Sequence, residues 1–351
     1  MSLIVTVSPI DLNNKERLSD DRNYARKAVH HGLLDKEHFE NENSPFHGDL
    51  IYHQMFNLDN QQEKDIYQNV SRSWMHDAKE AHVYLDRGIT EDMIEHVIDL
   101  IEHSIPVKYK TLSENSYIQD KVSRIQTFFD AINLSKELTQ LRSDNSFDII
   151  EHSHYNPEYL FEAKHEKFQP LDLNHDINHH KDYKRVILES PFAGNEFQKR
   201  FENVKYAKAL IHKLSHDGYA PSASHLLYTQ MLDDDLKLHR DLGINRGLDY
   251  AHNKDSFIGI DKGISGGMGY GIKRAINEGR SYNFFSLSDD PTIQQEVSKL
   301  RDLKDVNEYL ESKMSEEKTQ KLYEETGFII KTPITPVRPT HKKTIKKSFN
   351  S

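Results

Sequence analysis

Short apolar runs alternate along this chain with longer stretches in which apolar residues return every three or four positions. Leu3–Val7, Ala81–Leu85, Val107–Lys110, Val186–Glu189, Phe257–Ile260 and Tyr282–Phe285 are runs of the first kind. Their length and their β-branched and aromatic content predict buried strands. Between them Ala28 and Val29, then Ile66, Val70 and Trp74, then Met93–Ile101 predict helices. Ala207, Leu210, Ile211 and Leu214, and later Leu242, Leu248 and Tyr250, do the same. Strand alternating with helix predicts βαβ units, which impose a parallel sheet and a right-handed crossover. The clearest unit runs from Phe257-Ile258-Gly259-Ile260 through the turn Gly263-Ile264-Ser265-Gly266-Gly267 into a helix opening at Met268, and on to Tyr282–Phe285.

The pattern comes twice. Val5-Thr6-Val7-Ser8-Pro9 resembles Ile187-Leu188-Glu189-Ser190-Pro191, and Tyr24-Ala25 falls on Tyr206-Ala207 at the same offset. Tyr52-His53-Gln54-Met55 falls on Tyr228-Thr229-Gln230-Met231, and Leu85-Asp86-Arg87-Gly88-Ile89 falls on Ile260-Asp261-Lys262-Gly263-Ile264. Order is kept and the offset drifts by a few residues only, so residues 1–112 and 183–288 read as two copies of one α/β domain. The expected fold is therefore α/β: two tandem flavodoxin- or Rossmann-like, doubly wound parallel sheets joined by a helical linker and followed by a helical extension.

In the linker, 113–182, Val122, Ile125, Phe129 and Ile132 predict one helix over Tyr117–Leu141. Asp148–Asp182 is polar, and its His175 and His179 stand at the i, i+4 spacing of a metal pair, but no HExxH pattern accompanies them. We read a solvated linker there and no metal site. In the extension, 289–331, Ile293, Val297, Leu300 and Leu303 predict a helix starting at Asp289-Asp290-Pro291, followed by short helices over Val306–Met314 and Glu317–Thr326. Pro333, Pro336 and Pro339, with Lys342, Lys343, Lys346 and Lys347, make 332–351 a basic, disordered tail. A solubilising terminus is the leading reading of that tail, and contact with nucleic acid or an acidic partner the alternative.

Composition narrows the function classes. With 351 residues and no cysteine, neither a disulfide framework nor a thiolate metal site is open to the chain. No run reaches the eighteen apolar residues of a membrane span, and Met1–Ile10 lacks the charged start of a signal peptide. A cytoplasmic protein is expected. A net charge of −10 speaks against general nucleic-acid binding. A mean hydropathy of −0.78 implies modest cores and extensive solvated helix surface. The Lys/Asn/Ile-rich style fits an AT-rich genome such as a phage's.

Ser265-Gly266-Gly267-Met268-Gly269-Tyr270-Gly271 resembles the S-x-G-x-G-Y-E signature of the nucleoside 2-deoxyribosyltransferase-like superfamily, which includes deoxynucleoside-monophosphate N-glycosidases. Gly218-Tyr219-Ala220-Pro221 through His225-Leu226-Leu227-Tyr228 resembles the GY-x-P-x-APHL segment of a phage and bacterial branch of it. The likeness covers Arg185–Leu287. It implies that the loop holding Ser190, Phe192 and Gly194 grips base and sugar, that Ser265 contacts a 5′-phosphate, and that His225 lies at the ligand. The residues agree: Ser265 is placed as a helix N-cap, and Gly266, Gly267 and Gly269 leave backbone N–H groups open to an anion. The plainer alternatives are an ordinary βα turn for the Ser190 loop, a simple N-cap for Ser265, and packing beneath the loop for His225. The resemblance also implies a carboxylate near the fourth strand that orients the sugar hydroxyl or assists the leaving base; Asp261 stands at the crevice end of that strand, and Asp255 at the far end reads as a surface or capping residue. Asp233-Asp234-Asp235 reads as an exposed acidic loop rather than a Mg²⁺ site.

One departure is large. The glutamate that the resemblance makes the nucleophile falls at Gly271, which has no side chain to attack with. In the first copy His96 takes that place, with Glu95 one position round the helix and Glu91 nearby; Thr90-Glu91-Asp92 there would repel a phosphate. Three readings stay open. The first is a nucleotide- or nucleoside-binding protein without the usual nucleophile. The second is an active N-glycosidase or deoxyribosyltransferase with a relocated carboxylate from the first copy, Glu95 or Glu91, or from the linker, and with Asp261 as an assisting acid. The third is a structural or interaction protein. Family enzymes pair as dimers, so an intramolecular pair of copies is expected, with further self-association open. No cofactor is expected.

Overall fold

The computed structural model describes residues 2–10, 15–34, 43–143, 182–193, 197–288 and 290–313. The first unit consists of β1 (Ser2–Val7), α1 (Lys15–Leu34), β2 (Asn43–Phe46), α2 (Gly48–Tyr52), α3 (Gln61–Met75), β3 (Glu80–Tyr84), α4 (Glu91–Glu102) and β4 (Val107–Lys110). Two helices follow, α5 (Ser116–Ser123) and α6 (Phe128–Ser143). The second unit runs through β5 (Lys184–Glu189), α7 (Phe197–His216), β6 (Tyr219–Ser222), α8 (Ser224–Leu227), α9 (Lys237–Tyr250), β7 (Asp255–Gly259), α10 (Gly266–Asn277) and β8 (Tyr282–Phe285). It is extended by α11 (Pro291–Val297) and α12 (Leu303–Lys313).

Each unit holds a four-stranded sheet, ordered β2-β1-β3-β4 in one and β6-β5-β7-β8 in the other. Every pairing is parallel. The fold is thus α/β, with two parallel sheets flanked by helices. The apolar runs explain it: Val5, Val7, Val186 and Leu188 are buried, as a strand covered by helices on both faces requires. Among the described residues no helix is long and apolar enough to cross a membrane.

The two units repeat one another bond for bond at the ends of their strands. Tyr24 donates to Asp86 in the first and Tyr206 to Asp261 in the second. Thr111 Oγ1 and Leu112 N complete the Asp86 carboxylate; Ser286 Oγ and Leu287 N do the same for Asp261. Gly88 and Gly263 turn the two loops at φ 89° and 75°, a region that a side chain would make costly. Even a packing exchange is matched. The first residue of α2 is Gly48, and it faces Ser71 of α3; the first residue of α8 is Ser224, and it faces Gly247 of α9. One partner of each pair is small, and the serine has changed sides.

The units share an interface built the same way in both directions. Tyr52 donates to the Pro221 carbonyl at 2.9 Å, and its counterpart Tyr228 donates to the Pro45 carbonyl at 3.0 Å. Helix α9 packs on edge strand β2, and α3 packs on edge strand β6. Trp74 is fully buried at this joint, stacked on Phe46 and donating to the Ala220 carbonyl. One apolar cluster runs through both units, and covering each edge strand with the other unit's helix removes an exposed pairing edge.

Two helix readings need correction. The helix expected over Tyr117–Leu141 is two, α5 and α6, because Thr127 caps the second one. Its Oγ1 accepts from Asp130 N at 3.1 Å while the Asp130 carboxylate accepts from Thr127 N at 3.2 Å. The helix expected from Ile293 to Leu303 likewise divides into α11 and α12. Asp302 accepts from the Lys304 and Asp305 amides, and Asp305 reaches back to Arg301 N. The pair His175/His179, the Glu317–Thr326 helix, the basic tail and Gly194 lie outside the described residues.

Candidate functional site

A cavity of about 270 Å³ opens at the carboxyl end of β5, beside the segment that follows β6 and the start of α10, on the side where open parallel sheets place their ligands. Its size suits part or all of a small metabolite. All of its walls come from the second unit. Of the residues expected from sequence it brings together Ser190, Phe192, His225, Ser265 and Gly267. Gly269 lies one turn into α10 and is not part of the wall, and neither is Asp261.

One wall is the start of α10. Ser265 is its N-cap, with Oγ accepting from Met268 N at 3.3 Å. The next two residues are exposed glycines. A Cβ built at Gly266 would meet nothing within 4 Å, and one at Gly267 would meet only Ser265 Oγ, at 4.0 Å. Glycine in a helix costs about 1 kcal/mol relative to alanine, and here no protein atom demands it. The backbone N–H groups of this first turn lack intrahelical acceptors and carry the positive end of the helix dipole. Arg240, from α9, also lines the cavity, 3.6 Å from Asp234. Burial raises the pKa of the Asp234 carboxyl, while Arg240 and Arg200 work against that rise. Asp235 is held by Arg200 and Asp255 by Lys184, so these acids serve ion pairs.

Behind that turn lies a neutral pair. His225 Nε2 is 3.0 Å from Ser190 Oγ, and its ring tilts against Phe192 with centroids 5.7 Å apart. Burial lowers its pKa to about 4, so the imidazole is uncharged near neutrality. The first unit builds the same contact from another position: Ser8 Oγ lies 2.9 Å from His47 Nε2.

The floor holds the residue that sequence reading missed. Glu189, the last residue of β5, lines the cavity and projects against Gly271 of α10. A Cβ at 271 would sit 2.5 Å from Glu189 Cδ and 2.8 Å from Oε2, with Oε1 closer still. The absent side chain at 271 and the carboxylate at 189 therefore claim the same space. No described residue hydrogen-bonds this carboxylate, and burial raises its pKa to about 7 against a weak opposing pull from Arg280. The local signal was a glutamate closing the apolar run Val186-Ile187-Leu188. Its meaning depends on Gly271, 82 positions on, which local pattern does not show.

The other two acids considered from sequence lie elsewhere. Both Asp261 oxygens are engaged by Tyr206, Ser286 and Leu287 N, a brace tying α7, β7 and β8 together. Its twin Asp86 does the same in a unit without the glycine turn. Glu95 is exposed on α4 of the first unit and takes no part in the cavity wall.

The corresponding place in the first unit is furnished differently. Val7 ends β1 where Glu189 ends β5, and His96 is the sixth residue of α4 as Gly271 is of α10. Tyr67, the seventh residue of α3 where α9 has Gly243, is buried and donates to Asp49. Thr90 caps α4 as Ser265 caps α10, but Glu91 and Asp92 follow it.

A family model described as a domain of unknown function, DUF7768, matches residues 184–285, from the first residue of β5 to the last of β8. No curated protein and no solved structure matches the chain.

Proposed function

We propose that the cavity of the second unit binds a nucleoside 5′-monophosphate, and that Glu189 supplies there the carboxylate which the deoxyribosyltransferase-like resemblance places at position 271. The observation that carries this reading is the exchange itself: a side chain is missing from α10, and an unpaired carboxyl group from β5 fills the space inside a ligand-sized cavity. The phosphate goes to the open first turn of α10, with Arg240 as its counter-charge. Phe192 and Tyr270 present aromatic surface to the base. Neutral His225 and Ser190 offer one donor and one acceptor to the sugar without adding charge.

The chemistry that fits is cleavage of the N-glycosidic bond. Ionised Glu189 attacks C1′ as the C1′–N bond breaks, and the bonding pair leaves with the base, which takes a proton from solvent water; water or a second base then attacks C1′, and the C1′–O bond of the ester breaks to return Glu189 as a carboxylate. A group with a pKa near 7 is part ionised at neutral pH, as such a role requires. The two units form tandem copies paired within one chain, and the first has lost its pocket. The matched Asp86 and Asp261 networks, the reciprocal Tyr52 and Tyr228 bonds, and the acidic start of α4 support that reading.

Binding is tested by titrating the full chain calorimetrically with deoxynucleoside monophosphates and the matching nucleosides. Arg240→Gln is expected to weaken monophosphate binding by roughly tenfold to a hundredfold, the worth of a charge-assisted contact, and to leave nucleoside binding unchanged. Equal loss for both ligands places the phosphate elsewhere.

A further inference from the structure

Away from the cavity, the interface between the units gathers three metal-ligating side chains. His212 and His216 are one turn apart on α7, and their rings face the same side with centroids 4.5 Å apart. Glu63 comes from the first turn of α3, in the other unit. His212 Nε2 lies 3.0 Å from Glu63 Oε2 and 3.2 Å from Oε1; His216 Nε2 lies 2.7 Å from Oε1. All three ligand atoms fall within 4.8 Å of one another. The side chains of His212, His216 and Glu63 are only 1%, 7% and 10% exposed, and the Phe56 ring closes over His212 at 5.5 Å.

We propose that Glu63, His212 and His216 bind a divalent transition-metal ion, zinc before others, which joins the first unit to the second. A tetrahedral zinc with bonds of about 2.0–2.2 Å sets its donors roughly 3.3–3.5 Å apart. The His212 and His216 separations from Glu63 Oε1 need to open by roughly 0.1 to 0.8 Å to admit it, and all three donor atoms already lie within 4.8 Å of one another. Two imidazoles and one carboxylate suit zinc, cobalt or iron(II), whereas magnesium and calcium prefer oxygen ligands throughout. Water completes the fourth position. The burial matters as much as the spacing, because a carboxylate withdrawn from solvent favours a nearby cation strongly. A second group, His76, Asp99 and His103, lies wholly within the first unit, and its side chains are 30%, 19% and 48% exposed. It lacks the enclosure and serves as a control.

The test uses the metal-stripped full chain titrated with zinc chloride, followed by calorimetry and thermal melting. One tight site per chain is expected, with a melting rise of roughly 5 °C at a hundredfold excess over Kd. Glu63→Gln and His216→Asn are expected to weaken that site at least tenfold, and His103→Asn to leave it unchanged. Should either interface variant fail to fold, X-ray absorption of the wild-type zinc complex decides, since a shell of two imidazoles with oxygen ligands is expected. Absence of a tight site, an unchanged Kd in the folded interface variants, or a shell of oxygen alone or of four imidazoles overturns the proposal.

Discussion

Glu189→Gln is expected to lower the release of free base from a deoxynucleoside monophosphate by at least about a hundredfold, and as much as ten-thousandfold, the range for loss of a reacting acid or base group. The amide keeps the size and shape of the carboxyl group, and Gly271 still leaves it room. Ligand affinity should therefore change little while turnover collapses. That split separates a reacting group from a structural one. Glu189 accepts no hydrogen bond from any described residue, so the amide breaks no bond that shapes the cavity. Chromatographic measurement of free base in single-turnover mixtures, beside calorimetric Kd values, reads both quantities. If the wild-type chain binds monophosphates and releases no base, the cavity is a receptor site and the catalytic part of the proposal falls.

Much of this architecture is legible in the sequence. The apolar runs mark buried parallel strands, and the paired Leu85-Asp86-Arg87-Gly88 and Ile260-Asp261-Lys262-Gly263 segments mark equivalent turns. Asp86 was also the available clue to Asp261. A carboxylate present in both units, with the glycine turn in only one, belongs to the scaffold. Helix ends were harder, because the apolar spacing continues across 124–127 and 298–302. The Thr127-x-x-Asp130 and Asp302-x-x-Asp305 caps that interrupt it are brief polar signals. The floor of the cavity was out of reach for a different reason. Glu189 against Gly271, and Arg240 across from Ser265, are meetings of residues far apart in sequence, and neither residue is unusual where it stands.

The exchanged serine supplies the second large effect. A Cβ at 247 would lie 2.6 Å from Ser224 Oγ and nearer still to Ser224 Cβ, which is fixed to the backbone at the start of α8. Gly247→Ser alone is expected to cost about 3 kcal/mol, the upper range for overpacking a core. Ser224→Gly alone loses only a small side chain at a helix start, about 1 kcal/mol or less. Together they recreate the arrangement of Gly48 and Ser71, where a Cβ on the glycine would find the serine Oγ at 3.1 Å. The double variant should recover most of the loss, giving a coupling of about 2 kcal/mol between the sites. Urea denaturation of the four proteins measures it. Additive losses would mean that the two units are not interchangeable at this contact, against the proposal that they are copies of one domain.

Catalysis in this cavity requires an acid held ready beside the ligand. The most direct measurement is the pH titration of the Glu189 carboxyl carbon by nuclear magnetic resonance, assigned by its disappearance in Glu189→Gln. Burial disfavours the ionised form, so the midpoint should lie near 7 rather than at the ordinary 4.5. The resonance should also move when a deoxynucleoside monophosphate is added. A midpoint near 4.5, with a resonance indifferent to the nucleotide, would contradict the account.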